Sequence, residues 1–173
     1  MKWVWIILGA LAALILLVVV VGAMLPEKHT ATRAARFHQP PAAIWAAITD
    51  VSAFPNWRPG LKTVERLPDR NGLPAWREID SHGQAIPFEV EEWAPPAKLL
   101  TRIADPKLPF GGTWTQEIRA VDGGCELRIT ENGEVYNPVF RFVSRFILGH
   151  RSTIDAYLTA LGKKAGENVQ LED

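Results

Sequence analysis

The residues able to do acid–base, metal or nucleophilic chemistry are few and dispersed. The four histidines, His29, His38, His82 and His150, are scattered without ligand spacing, so no metal site is expected. Cys125 is the only cysteine, which excludes an internal disulfide and any multi-thiolate metal centre. No glycine-rich phosphate loop and no Gly-x-Ser-x-Gly elbow occurs, and no cofactor is implied. His150 is the most informative single residue, because its ring flanks an apolar helical stripe. It is either a proton donor or ligand anchor, or a core histidine with a satisfied ring. Arg102 lies between Thr101 and Ile103 in a run of strand length. Turned inward it would bind a carboxylate or phosphate; turned outward it would be solvated. Glu78 and Glu92 are acidic candidates of the same standing.

The elements that must position these groups are legible in the pattern. Thr30 to His38 predicts a first strand, ended by Gln39-Pro40-Pro41. Ile44, Ala47, Ile48 and Val51 then follow helical spacing, with Asp50 and Ser52 placed to cap a second short helix through Phe54. From Leu61 to Tyr136, clusters of Gly, Pro, Asn and Asp divide the chain into six runs of strand length. Ile86, Phe88 and Val90 share one face, as do Trp114, Gln116 and Ile118, and Cys125, Leu127 and Ile129. Short connections imply antiparallel pairing, since parallel strands need long crossovers. Phe88 and Trp114 on these apolar faces can line a pocket or simply fill a core.

The last element reads as one long amphipathic helix. Val143, Ile147, Ile154, Leu158 and Leu161 fall within about 60° of Phe140 on a helical wheel, with Phe146, His150 and Tyr157 beside them. The sheet is the large partner for that face. Arg141, Arg145 and Lys163 gather on the other side. They form a solvated face or, close to a membrane, a surface for anionic headgroups.

Composition narrows the function classes. Net charge is zero over 173 residues, and from Glu27 onward 18 Lys and Arg stand against 19 Asp and Glu. No basic excess is present to neutralise phosphates, so nucleic acid is not an expected partner. Residues Trp3 to Leu25 carry no charge. At about 1.5 Å per residue this helix spans roughly 34 Å, enough for a hydrocarbon core of about 30 Å. Trp3 and Trp5 suit the interface, and Pro26 with Glu27 ends the run. A cleaved signal peptide is the rival reading. Its apolar region would be shorter, and no clean small-x-small cleavage site closes this one. Residues 1–26 are therefore expected to anchor a domain over 27–173 to the cell membrane by a single pass through residues 3–25. Lys2 before the span and Lys28, Arg33 and Arg36 after it leave the side of the domain open.

The order strand, two short helices, six-stranded meander and C-terminal helix resembles the helix-grip fold of START-like (SRPBCC) proteins. The wording "PPAAIWAAITDVSAFPNW" (40–57), "GGTWTQEI" (111–118), "GCELRITENGEV" (124–135) and "NPVFRFVSRFILG" (137–149) carries the resemblance over about residues 31–165. The most similar branch is the bacterial one labelled polyketide cyclase/dehydrase and lipid transport. The resemblance implies an α+β fold, with a curved antiparallel sheet around a long C-terminal helix and a cavity between them. It also places Trp57, Tyr136 and Phe146 near the mouth or the helix side. Phe88 and Trp114, from their apolar strand faces, and Arg102 and His150, from their own chemistry, are the further ligand-contact candidates.

Three functions stay open. The first is binding or transfer of a hydrophobic small molecule or lipid at the membrane. The second is an aromatase/cyclase-type enzyme on a polyketide-like substrate, which needs a positioned acid or base. The third is an interaction domain without ligand. Fold alone does not choose among them.

Overall fold

The computed structural model describes residues 2–173. The apolar run forms helix α1 (Lys2–Met24), followed by strand β1 (Lys28–Phe37) and helix α2 (Pro41–Thr49). Pro41 opens α2, where its missing N–H costs nothing. The expected second short helix is a 3₁₀ turn, Val51–Asn56, without a side-chain cap. The Ser52 hydroxyl instead donates to Asp50 Oδ1 at 2.5 Å.

The six-run meander is β2 (Leu61–Arg70), β3 (Leu73–Asp80), β4 (Ala85–Ala94), β5 (Lys98–Ile103), β6 (Phe110–Val121) and β7 (Gly124–Val135). After β7 come helix α3 (Pro138–Val143), a π-helical turn (Ser144–Leu148), helix α4 (Ser152–Lys164) and the two-residue strand β8 (Leu171–Glu172). All eight strands join one antiparallel sheet in the order β2-β3-β4-β5-β6-β7-β1-β8. The period-two reading holds where it matters: Gln116 and Ile118 on β6 are buried, as are Cys125, Leu127 and Ile129 on β7. At one edge, β2 exposes Lys62, Glu65, Arg66, Pro68, Asp69 and Arg70, and its pairing with β3 shifts register twice. At the other, β8 covers Ala34 and Ala35 of β1. Arg33 holds that end by bonding Asp155 at 2.8 Å and Asp173 at 2.5 Å.

Helix α4 packs across the sheet. Ile154, Leu158 and Leu161 have no exposure and share one core with Ile44, Ile48, Leu99, Ile118, Leu127 and Ile129. Each such side chain contributes about 1.5–3 kcal/mol by leaving water.

The C-terminal helix is shorter than its apolar stripe suggests. The expected continuous helix from Phe140 to Lys163 is broken at Gly149, whose φ of 76° lies in the left-handed region that glycine adopts cheaply. Only the second half grips the sheet. The first half, residues Pro138–Leu148, forms an arm that packs on α1 instead. Asn137 starts it, its Oδ1 accepting from the amides of Val139 at 2.9 Å and Phe140 at 3.3 Å. A Cβ on Gly22 of α1 would overlap the Pro138 carbonyl oxygen, so glycine is what allows the contact. Arg141 secures it, donating to the carbonyls of Leu25 at 2.9 Å and Tyr136 at 3.1 Å and to Glu27 Oε1 at 3.2 Å. The basic side of a single helix is therefore absent. Arg141 is spent on this joint, while Lys163 lies at the far end of α4.

Candidate functional site

A cavity of about 600 Å³ lies between the sheet, α4 and the arm. Its walls are mainly apolar, with Trp76, Phe88, Leu99, Ile103 and Trp114 facing it from consecutive strands. Two polar clusters interrupt them.

The first is centred on Glu78, which is buried on β3. Arg58 Nη1 donates to Glu78 Oε1 at 2.6 Å, and the Trp76 indole donates to the same oxygen at 3.1 Å. The guanidinium carbon lies 4.9 Å from the Phe54 ring centre and 5.4 Å from that of Tyr157. A carboxylate and two aromatic faces thus hold the cation at the cavity wall. Arginine has five N–H donors, and the Glu78 bond spends one of them. Tyr157 is buried, which pushes its phenol well above the usual range and keeps it protonated. Its hydroxyl donates to Gln116 Oε1 at 3.4 Å.

The second cluster sits where the arm meets the start of β1. His29 Nε2 and Glu131 Oε1 are 3.2 Å apart, and the Trp114 indole donates to Glu131 Oε2 at 2.8 Å. The His29 and His150 rings stack with centres 3.9 Å apart. His150 Nδ1 and the Ser144 hydroxyl are 3.1 Å apart. A side chain at Gly133 would collide with the His29 ring, so its absence makes room for the stack. Burial lowers the His150 pKa below 6.5, and the neighbouring His29 and Arg145 lower it further. The shift favours the neutral imidazole.

The sequence-derived candidates divide. Phe88, Trp114 and His150 line the cavity. Trp57 does not line it. It packs edge-on against Phe54 and Tyr157, with ring centres 5.5 and 5.3 Å away, and its buried indole N–H has no partner among the described residues. Arg102 is exposed and paired with Glu91. Tyr136 donates to Glu134 Oε2 at 2.7 Å and borders, with Arg102, a separate shallow hollow. Phe146 is exposed on the outside of the arm, its ring 4.9 Å from that of Phe142. Of the two acidic candidates, Glu78 lines the cavity, whereas Glu92 pairs with Lys98 at 2.7 Å.

Arg58, Gln116, Glu131, Ser144 and Tyr157 were missed by sequence reasoning. For two of them a signal existed. Gln116 follows Trp114 on an inward face, and Glu131 continues the inward series Cys125, Leu127, Ile129. A polar residue at an inward position of an apolar alternation is a cavity signal. Among the described residues, no group of three His, Cys, Asp or Glu is arranged to hold a metal ion.

A curved antiparallel sheet closed by a C-terminal helix over an apolar cavity defines the START-like fold. The chain belongs to the polyketide cyclase / dehydrase and lipid transport family, whose model matches residues 28–165. Among solved structures, a START superfamily protein from Mycobacterium smegmatis is similar with a TM-score of 0.64 and 18% identity, over 80% of this chain and 97% of that one. The Zhui aromatase/cyclase from Streptomyces sp. R1128 is similar with a TM-score of 0.62 and 14% identity, over 80% of this chain and 94% of that one. Identities this low establish the shared fold alone. No curated protein matches the chain. Helix α1 is long and apolar enough to cross a membrane, a property that a signal sequence shares.

Proposed function

We propose that this protein binds or transfers a hydrophobic small molecule or lipid in its START-like cavity while α1 tethers it to a membrane. On this reading residues 1–26 are the anchor and 27–173 the ligand-holding domain. The observation that carries the proposal is the cavity itself, about 600 Å³ with mainly apolar walls, one of them formed by an arm seated on α1. Its size falls in the range of about 300–1,000 Å³ that holds small molecules. Arg58, retained beside Glu78, suits a ligand whose apolar body ends in a carboxyl or carbonyl oxygen. The test is native mass spectrometry of the full-length protein in mild detergent, with extraction of bound small molecules. A reproducible apolar passenger supports the proposal. A clean apo mass that takes up no added fatty acid or phospholipid overturns it.

One arrangement favours a second reading, ring closure of the aromatase/cyclase kind. His150 sits beside the Ser144 hydroxyl at the cavity wall in surroundings that favour its neutral form, which can take a proton from a bound substrate. Turnover of a polyketide-like substrate, lost in His150→Ala while that substrate still binds, would establish this reading. Binding without turnover would exclude it.

A further inference from the structure

The arm that closes the cavity is also the most apolar exposed surface outside α1. Beyond Met24, the large hydrophobic side chains left exposed among the described residues are Trp93, Tyr136, Val139, Phe140, Phe146, Ile147 and Leu148. Five of these seven belong to the arm, and Phe146, Ile147 and Leu148 are consecutive at 59, 68 and 64% exposure. A soluble surface rarely keeps such a cluster uncovered.

We propose that the arm is an interfacial membrane element, with Phe140, Phe146, Ile147 and Leu148 lying in the headgroup and upper acyl region of the bilayer that α1 spans. This deepens the tethered-carrier reading and rests on it. The covering partner follows from continuity. The arm packs on the C-terminal end of α1, where Val18, Val19, Val21 and Gly22 lose exposure, while the helix from Lys2 to Leu17 stays bare. The bare part of α1 and the exposed side of the arm therefore adjoin, with Arg145 the charged residue exposed on the arm, and a bilayer that takes the first also meets the second. The joint is fixed rather than incidental, because Gly22 admits Pro138 and the largely buried Arg141 bridges Leu25, Glu27 and Tyr136. Residues 138–149 contain no Asp or Glu, and the exposed Arg145 can keep its guanidinium at the phosphates while its stem lies in apolar surroundings.

Val143 and Ser144 face the cavity from the same arm, while Phe140 and Leu148 border both the cavity and the exposed surface. An apolar ligand entering beside the arm would pass from acyl chains to cavity wall without crossing bulk water.

The test places the full-length chain in phosphatidylcholine/phosphatidylglycerol vesicles and measures depth at single sites. Ile147→Cys carries an environment-sensitive NBD label, and Asp122→Cys in the β6–β7 turn serves as control. That turn lies at the opposite end of β1 from α1, because Phe37 pairs with Cys125 and Lys28 with Glu134. Cys125 itself is fully buried, so the introduced thiol takes the label. The expected result is a blue-shifted emission at 147 that is lost to nitroxide-bearing acyl chains, with neither effect at 122. Water-like emission at both sites would overturn the arm's role while leaving the anchor intact. So would a shielded label at 147 that lipid nitroxides do not quench, since a protein surface would then be covering it. Release of the chain by an alkaline carbonate wash would overturn the anchor reading, and this inference with it.

Discussion

Gly22 and Pro138 touch so closely that any side chain at residue 22 would occupy the space of the Pro138 carbonyl. Through this contact, and through the bond from Arg141 to the Leu25 carbonyl beside it, the hydrophobic N-terminal helix is coupled to the cavity wall 116 residues downstream. Gly22→Leu keeps α1 apolar yet cannot keep the joint. Overpacking of this kind costs about 1–3 kcal/mol, enough to speed amide exchange in residues 139–148 roughly tenfold. Amides of β6 and β7 should be unchanged. Equal protection in the variant would show that the joint does not hold the arm.

Arg58→Met should be destabilising because it strands the Glu78 carboxylate inside the protein. Breaking a buried pair costs about 3 kcal/mol at the low end, which suits a pair whose arginine keeps partial exposure. Arg58→Met combined with Glu78→Gln should recover much of that loss. Urea unfolding of the full chain in detergent measures both. A single variant as stable as the parent would mean that the carboxylate is protonated or solvated in place.

His150 predicts an acid-sensitive cavity wall. Its folded pKa is lowered, so between that value and 6.5 the unfolded chain binds more protons than the folded one. Its stabilising effect is therefore complete above pH 6.5 and is lost as pH falls toward the folded value. Protonation would place positive charge against His29 and near Arg145, with Glu131 the nearby carboxylate. Denaturation midpoints across pH 5–8 should flatten in His150→Gln. An unchanged profile would assign the acid loss to other groups.

Trp114 serves the cavity in two separable ways, as an apolar wall and as the donor to Glu131. Trp114→Phe removes the hydrogen bond at a cost of about 1–2 kcal/mol but keeps most of the wall, so a bound apolar molecule should remain. Trp114→Ala should lose it. Native mass spectrometry of the two variants distinguishes these contributions, and equal retention in both would place the ligand elsewhere.

The sheet was legible because alternation and turn residues are local signals. Ile118, Leu127 and Ile129 are buried as their spacing requires. The grip of Ile154, Leu158 and Leu161 was equally plain. The arm was not, because Phe140, Val143 and Ile147 keep the helical phase of those residues across Gly149. Their stripe looks continuous, but the chain turns at Gly149 and the arm packs on α1 through Pro138 and Gly22. Arg58 was invisible for a different reason. Its role depends on Glu78 and Tyr157, which the fold rather than the local pattern brings to it. His150 was found for its chemistry, but its stacking partner His29 lies on the first strand and carries no local mark.

The free edge at β2 acquires a particular meaning for a tethered chain. Copies held by α1 would diffuse in two dimensions with similar orientation, a confinement that multiplies encounters between sheet margins. A bare, regular strand there would recruit its neighbours into a continuous ribbon. Lys62, Glu65, Arg66 and Arg70, the Pro68 break and two register shifts deny it a matching template. Lateral crowding would thus leave the copies separate, each with its own cavity and its own route to the lipid.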